Sequence, residues 1–185
     1  MTRIIAGAAG SLALSVPDAG TRPTSDRIRE SLFGALESAD LLRDAAVADL
    51  YAGSGALGLE AISRGARSAD LVEKSARAAS VVQRNARTVG RAVRDAVVRV
   101  HRMSADAYLR SVARTYDLVF VDPPYDLGDA ELAVTLGLLA PRLAGGATVI
   151  VERASRSPQP QLPEGMAVTR DKRYGDTTLW WCAAA

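Results

Sequence analysis

Short apolar runs alternate along this chain with stretches whose apolar positions recur every three or four residues. Residues 47–51, VADLY, form a compact run of the kind a buried strand needs. Similar runs follow at residues 69–73, 96–100, 116–121 and 147–151. Between them, residues 57–64, 76–89, 105–113 and 129–139 read as helices. Strand and helix in regular alternation predict a parallel sheet covered on both faces. Ahead of this series, residues 3–6 and 12–16 read as two short strands around a turn at 7–10. Pro17, Gly20 and Pro23 mark a loop, and Thr24 and Ser25 can cap a helix whose apolar positions are Ile28, Leu32, Phe33 and Leu36. Behind it, three prolines lead to β-like segments at 166–170 and 177–181, joined by a turn near Tyr174-Gly175-Asp176.

The expected fold is therefore α/β: a Rossmann-like sheet of seven strands, mostly parallel, with an antiparallel C-terminal hairpin. A short N-terminal β-hairpin and helix precede it. Residues 1–38 are expected to form an extension, and residues 39–185 the main domain.

Composition narrows the class. The chain has 185 residues, 48% hydrophobic and 24% charged, near the averages for globular proteins. No apolar run approaches the roughly 20 residues of a membrane span, and the N-terminus lacks a signal peptide's apolar stretch. A cytoplasmic protein is expected. A single cysteine, Cys182, and a single histidine, His101, permit neither an internal disulfide nor a zinc site. Both read as ordinary strand residues, and no metal is expected. Net charge is only +2, but Lys74 and Lys172 are the only lysines, the other basic residues being arginines. The densest basic stretch, Arg84, Arg87, Arg91, Arg94, Arg99 and Arg102, reads as a solvated helix face and loop, with phosphate binding as the alternative.

Candidate chemistry sits at the strand ends. The segment Asp49-Leu50-Tyr51-Ala52-Gly53-Ser54-Gly55-Ala56-Leu57-Gly58 joins the first core strand to its helix. Ligands of open α/β sheets bind there, and glycines let backbone approach them. The spacing alone suits a dinucleotide equally well. Glu73, at the end of the next strand, is placed to contact ribose hydroxyls of either ligand. Asp49 separates the two: a carboxylate there would repel a pyrophosphate but can receive a cationic amino group, directly or through water. The pattern points to S-adenosylmethionine, with Tyr51, Gly53, Ser54, Gly55, Glu73 and Lys74 lining its site. Gly55 is expected to face the cofactor, so that a side chain there would occupy its space. Ser104-Ala105-Asp106 follows the third strand. Asp106 can accept from the adenine amine, or serve simply as a first-turn helix acid.

Asp122-Pro123-Pro124-Tyr125 follows the apolar strand ending at Val121. Two prolines make a rigid turn whose carbonyls are free to accept. An exocyclic amine on a nucleobase is conjugated and a poor nucleophile. Asp122 and the Pro123 carbonyl can each accept an N–H bond and so orient the nitrogen toward a methyl donor, with Asp122 also bordering the cofactor. Tyr125 can stack on the base.

These motifs resemble the S-adenosylmethionine methyltransferases that act on amino nitrogens. Arg3-Ile4-Ile5, the run Arg22-Pro23-Thr24-Ser25-Asp26-Arg27-Ile28-Arg29-Glu30-Ser31-Leu32-Phe33, residues 49–60 and residues 119–125 together resemble the small-subunit ribosomal RNA methyltransferase D family. The resemblance implies N2-methylation of a guanine in small-subunit (16S) ribosomal RNA, within an assembled or assembling subunit; a monomer is expected. It also implies that residues 22–29 lie near the active-site mouth. Arg22, Arg27 and Arg29 would then contact RNA phosphates, with Thr24 and Ser25 shaping the pocket. The alternative is that Arg27 and Arg29 pair with acids on their own helix. The family's hairpin turn usually carries arginine, whereas Ala8-Ala9-Gly10-Ser11 carries none. Three other functions remain open: a DNA amino-methyltransferase, though no target-recognition domain is evident; a protein-glutamine methyltransferase, which would carry Asn at position 122; and a non-catalytic RNA-binding module of the same fold.

Overall fold

The computed structural model describes residues 1–18 and 24–185. A two-stranded hairpin, β1 (Thr2–Arg3) and β2 (Ala13–Leu14), precedes helix α1 (Asp26–Ser38). There follow β3 (Ala46–Asp49), α2 (Ala56–Ser63), β4 (Ser68–Val72), α3 (Ala76–Ala92), β5 (Val97–His101), α4 (Ala105–Ser111), β6 (Tyr116–Val121), α5 (Asp129–Leu139), β7 (Leu143–Ala154), β8 (Met166–Tyr174) and β9 (Thr177–Ala184). The seven later strands form one sheet in the order β5-β4-β3-β6-β7-β9-β8. The first five in that order run parallel, and β9 is antiparallel to both β7 and β8. From β3 the chain builds outward through β4 to β5, then returns to lay β6 on the other side of β3. The crevice between the carboxyl ends of β3 and β6 is therefore the topological switch point, where such sheets bind ligands.

Alternation along the strands sorts two cores. Val47, Leu118, Phe120 and Ile150 face α1, α2 and α3, while Ala48, Val119, Val121 and Val149 face α4 and α5. Helix α1 is held on the first face by Leu32, Phe33 and Leu36, with the Phe33 and Phe120 ring centroids 5.6 Å apart. Ser25 caps it, accepting from the Ile28 N–H at 3.3 Å.

The N-terminal hairpin is pinned to α2 by buried polar contacts. Glu60, fully buried, accepts from the N–H groups of Ile5 (2.8 Å) and Ala6 (3.1 Å) and from Arg64 Nε (2.8 Å). The Ala8–Ser11 turn docks on the far end of α2, where Ser63 accepts from the N–H groups of Ala8 and Ala9. Gly7 is required there: its φ is +86°, and a Cβ would lie 2.0 Å from the Ser63 carbonyl oxygen.

Several boundaries differ from the pattern. Both N-terminal strands are shorter than residues 3–6 and 12–16, because only the pairs Thr2↔Leu14 and Arg3↔Ala13 form. Strand β7 is longer than 147–151 at both ends: Leu143 pairs with Tyr116 of β6 ahead of a register shift, and β9 pairs through Ala154, carrying Glu152 and Arg153 into the ladder. The hairpin strands β8 and β9 extend for the same reason, each reaching beyond its apolar segment.

Candidate active site

A cleft of about 1140 Å³ opens at the carboxyl ends of β3, β4 and β6. Its floor is the loop after β3. Tyr51, Gly53 and Ser54 line it, as do Glu73, Lys74, Ser104, Ala105 and Asp106 from the ends of β4 and β5. Asp122, Pro123, Pro124 and Tyr125 form another wall. Candidate residues far apart in sequence thus converge on one cavity of small-molecule size.

The loop is held by the acids predicted to meet a ligand. Glu73 accepts from Gly53 N–H at 2.9 Å through one oxygen and from Ser75 N–H at 2.8 Å through the other. Gly53 has φ +58°, and a Cβ there would meet nothing within 4 Å, so it is the glycine that faces open space. Gly55 corrects the expectation. Its φ of +83° does require glycine, but a Cβ there would meet Leu59, Leu71 and Val82 at 3.2–3.4 Å. Gly55 faces the core and starts α2; it does not border the cavity.

Asp49 lies behind this loop, buried, and is not on the cavity wall. Its Oδ2 accepts from Gly58 N–H at 3.0 Å, whereas Oδ1 is buried without a partner. Burial pushes this carboxyl up to about 7, against the Gly58 and Tyr51 backbone N–H groups and with the nearby Glu73 charge adding to the rise.

Asp106 keeps both of its expected roles. It lies in the first turn of α4, which Ser104 caps through Ala107 N–H, and it accepts from Thr135 Oγ1 at 2.6 Å while still lining the cleft. Tyr51 Oη lies 3.4 Å from the same Thr135 hydroxyl.

Asp122 follows β6 on the face shared by Leu118 and Phe120, directed to the side of the sheet that α1 covers. The chain before α1 supplies Thr24, whose hydroxyl is 3.3 Å from Asp122 Oδ2 and donates at 2.8 Å to Glu152 Oε2. Burial, the Glu152 charge and then the Asp49 charge hold Asp122 well above the usual carboxylate range, and burial raises Glu152 as well. Of the two proline carbonyls, that of Pro124 accepts from Leu127 N–H at 3.0 Å, so the turn itself uses it. Tyr125 is 56% exposed at the rim, with its ring available to a stacking partner.

The predicted RNA contacts separate. Arg22 lies outside the described residues. Arg27 is exposed. Arg29 is 1% exposed and its guanidinium is bonded inward: Nη2 donates to Thr2 Oγ1 (2.9 Å), the Arg3 carbonyl (2.8 Å) and Asp26 Oδ1 (2.7 Å), and Nη1 lies 3.8 Å from Glu60. Arg29 borders the cleft, but its burial and its bonds to Thr2, Arg3 and Asp26 give it a scaffold role in place of the expected phosphate contact. Ser25 is a helix cap, while Thr24 reaches the site. Arg84, Arg87, Arg91, Arg94 and Arg102 are exposed, and Arg99 lies 3.7 Å from Asp70. His101 bonds Asp70 at 2.8 Å, and Cys182 is buried in β9.

Glu152 is the site residue that the motifs do not single out. The signal that could have found it is repetition: Asp49, Glu73, Asp122 and Glu152 each close an apolar strand. Among the described residues, no group of three or more His, Cys, Asp or Glu side chains is placed to hold a metal ion, and no helix is long and apolar enough to cross a membrane.

Comparison with known proteins gives the family and bears out the fold. Residues 2–183 match the family model described as conserved hypothetical protein 95. The chain is 37% identical over 174 residues to the ribosomal RNA small subunit methyltransferase D of Escherichia coli K12, covering 94% of this chain and 85% of that one. It is 32% identical over 176 residues to the methyltransferase D of Haemophilus influenzae, covering 94% and 89%. The solved yhhF protein of Escherichia coli superposes with a TM-score of 0.85 at 34% identity, covering 98% of this chain and 97% of that one. The chain belongs to the conserved hypothetical protein 95 family, the family of the ribosomal RNA small subunit methyltransferases D.

Proposed function

We propose that this enzyme transfers a methyl group from S-adenosylmethionine to the exocyclic 2-amino group of a guanine in small-subunit ribosomal RNA, within an assembled or assembling subunit. It would act as a cytoplasmic monomer, with residues 1–38 as its substrate-facing extension. The observation that carries the reading is the Asp122-Pro123-Pro124-Tyr125 turn at the mouth of a cleft floored by the glycine loop.

The cleft suits the cofactor. Asp49 lies behind the glycine loop, so its unpartnered Oδ1 acts on a cationic amine in the cleft through the loop and by charge, without direct contact. Glu73 and Asp106 offer acceptors to ribose and adenine, and Gly53 leaves space for both. When bound, S-adenosylmethionine supplies a methyl group made electrophilic by its sulfonium.

The chain's own residues prepare the nucleophile. Asp122 accepts one N–H of the target amine and the Pro123 carbonyl the other. Both draw the nitrogen lone pair out of conjugation and toward the cleft. Tyr125 stacks on the base, an interaction worth roughly 1–3 kcal/mol, which offsets the few kcal/mol of extracting it from its stack. Tritiated methyl transfer tests this: small-subunit particles are expected to take up label in RNA, with Asp122→Ala abolishing uptake. Label appearing only in protein or DNA would contradict the proposal.

A further inference from the structure

Glu152 sits beside the reacting position. The last ladder pair of β6 and β7 is Val121↔Val151, so one residue on, Asp122 and Glu152 are neighbours on adjacent parallel strands and project to the same face. Thr24 lies between them, 2.8 Å from Glu152 and 3.3 Å from Asp122. Its hydroxyl has one proton, so it cannot satisfy both carboxylates. Glu152 is 8% exposed, and it lines a small groove together with Asp122, Pro123, Tyr125 and Arg153. Arg153 follows Glu152 in the strand; its Nη2 donates to the Leu127 carbonyl and to Asp129, its Nε has no partner, and no hydrogen bond or ion pair links it to Glu152. Two acids held side by side in a buried site are costly to ionise together: burial and then the Glu152 charge raise Asp122, and burial raises Glu152. Such a pair is stabilised by a ligand that brings two adjacent donors.

Guanine has that edge: the N2 amine and the N1–H are adjacent donors. We propose that Glu152 is the base-selecting residue, its carboxylate accepting N1–H of the target guanine while Asp122 accepts an N2–H. This rests on the guanine-N2 reading above. Adenine and cytosine place a ring-nitrogen lone pair beside their amine, and a carboxylate facing that lone pair rejects them. The second acid thus excludes the bases that other amino-methyltransferases use.

The test uses 2-aminopurine, which keeps the 2-amine but presents a lone pair at N1. The modified position is first mapped with the wild-type chain on unmethylated small-subunit particles, then replaced by 2-aminopurine through splinted ligation and reconstitution. The wild-type chain is expected to prefer guanine by roughly a hundredfold or more in kcat/KM. Glu152→Gln, whose amide can donate to the N1 lone pair, is expected to lower kcat/KM on guanine by at least about tenfold and to narrow the preference by a similar factor. Cofactor affinity, followed by calorimetry, stays unchanged and reports that the variant is folded. Glu152→Asp keeps an acceptor and is expected to retain the preference. A Glu152→Gln variant that slows both bases equally, or neither, overturns the assignment of Glu152 alone, as does a Glu152→Asp variant that loses the preference. A wild-type chain that methylates some other position than guanine N2 overturns the functional reading itself, and this one with it.

Discussion

At the scale of single residues, burial makes the charges of Asp49, Asp122 and Glu152 costly. Asp49 shows this in its titration. Below its ordinary value of 3.8, Asp49 is protonated in folded and unfolded chains alike. As pH rises from there to about 7, the unfolded chain gives up the proton while the folded chain keeps it, so stability falls. The loss is on the order of 4 kcal/mol. Asp49→Asn can still accept from Gly58 but carries no charge. Thermal denaturation without cofactor is expected to show this variant with a flatter pH profile and a higher midpoint at pH 8, and calorimetry a weaker hold on S-adenosylmethionine. An unchanged pH profile would remove Asp49 from this role. Asp122 works in its ionised form, so activity is expected to fall as pH falls, with a midpoint above the ordinary carboxylate range. Burial and then the Glu152 and Asp49 charges set that midpoint. Glu152→Gln removes one of those charges and is expected to move the acid limb of the kcat profile to lower pH, even though turnover is slower. At Tyr125, the phenylalanine variant is expected to keep most activity. Alanine should cost about tenfold or more, the equivalent of lost stacking. Equal loss in both would assign the role to the hydroxyl.

At the scale of elements, strand and helix order was legible because each buried strand is a run of apolar residues and each helix keeps its period. The ends were not, because partners decide them. Glu152 and Arg153 look like the end of a strand in sequence, yet β9 pairs with both. Position 152 becomes a site residue only through the register of β6 and β7. Arg29 shows the same limit from the other side: in sequence it is one more arginine near a helix start, and only the meeting of α1, β1 and α2 around Glu60 buries it. Glu60→Ala would strip the acceptor from Ile5, Ala6 and Arg64 and leave Arg29 without its nearby charge. It is expected to destabilise the fold by about 3–5 kcal/mol in urea denaturation. Arg29→Ala is expected to lower stability too, whereas the exposed Arg27→Ala should not. If Arg29→Ala unfolded at the wild-type urea concentration, the anchoring role would be wrong.

At the scale of the whole molecule, one end of the sheet carries the function. Asp49, Glu73, Asp122 and Glu152 all lie at the carboxyl ends of the parallel strands, and α1 packs on the adjacent face so that Thr24, just before it, reaches Asp122 and Glu152. Exposed basic residues, Arg27 at the start of α1 and Lys172 and Arg173 at the end of β8, stand at the same end of the molecule. RNA held there would release counterions, so Arg27→Ala or Arg173→Ala is expected to reduce the salt slope of RNA binding by roughly one unit each and to leave cofactor affinity alone. Unchanged slopes would move the RNA surface elsewhere, first to the exposed arginines of α3. The central claim, methylation of guanine N2 in small-subunit RNA, is tested most directly by mass spectrometry of ribosomal RNA nucleosides from cells with and without this chain. The account predicts that N2-methylguanosine falls in small-subunit RNA when the chain is absent and returns with the wild-type chain but not with Asp122→Ala. An unchanged N2-methylguanosine content, with another nucleoside lost instead, would contradict it.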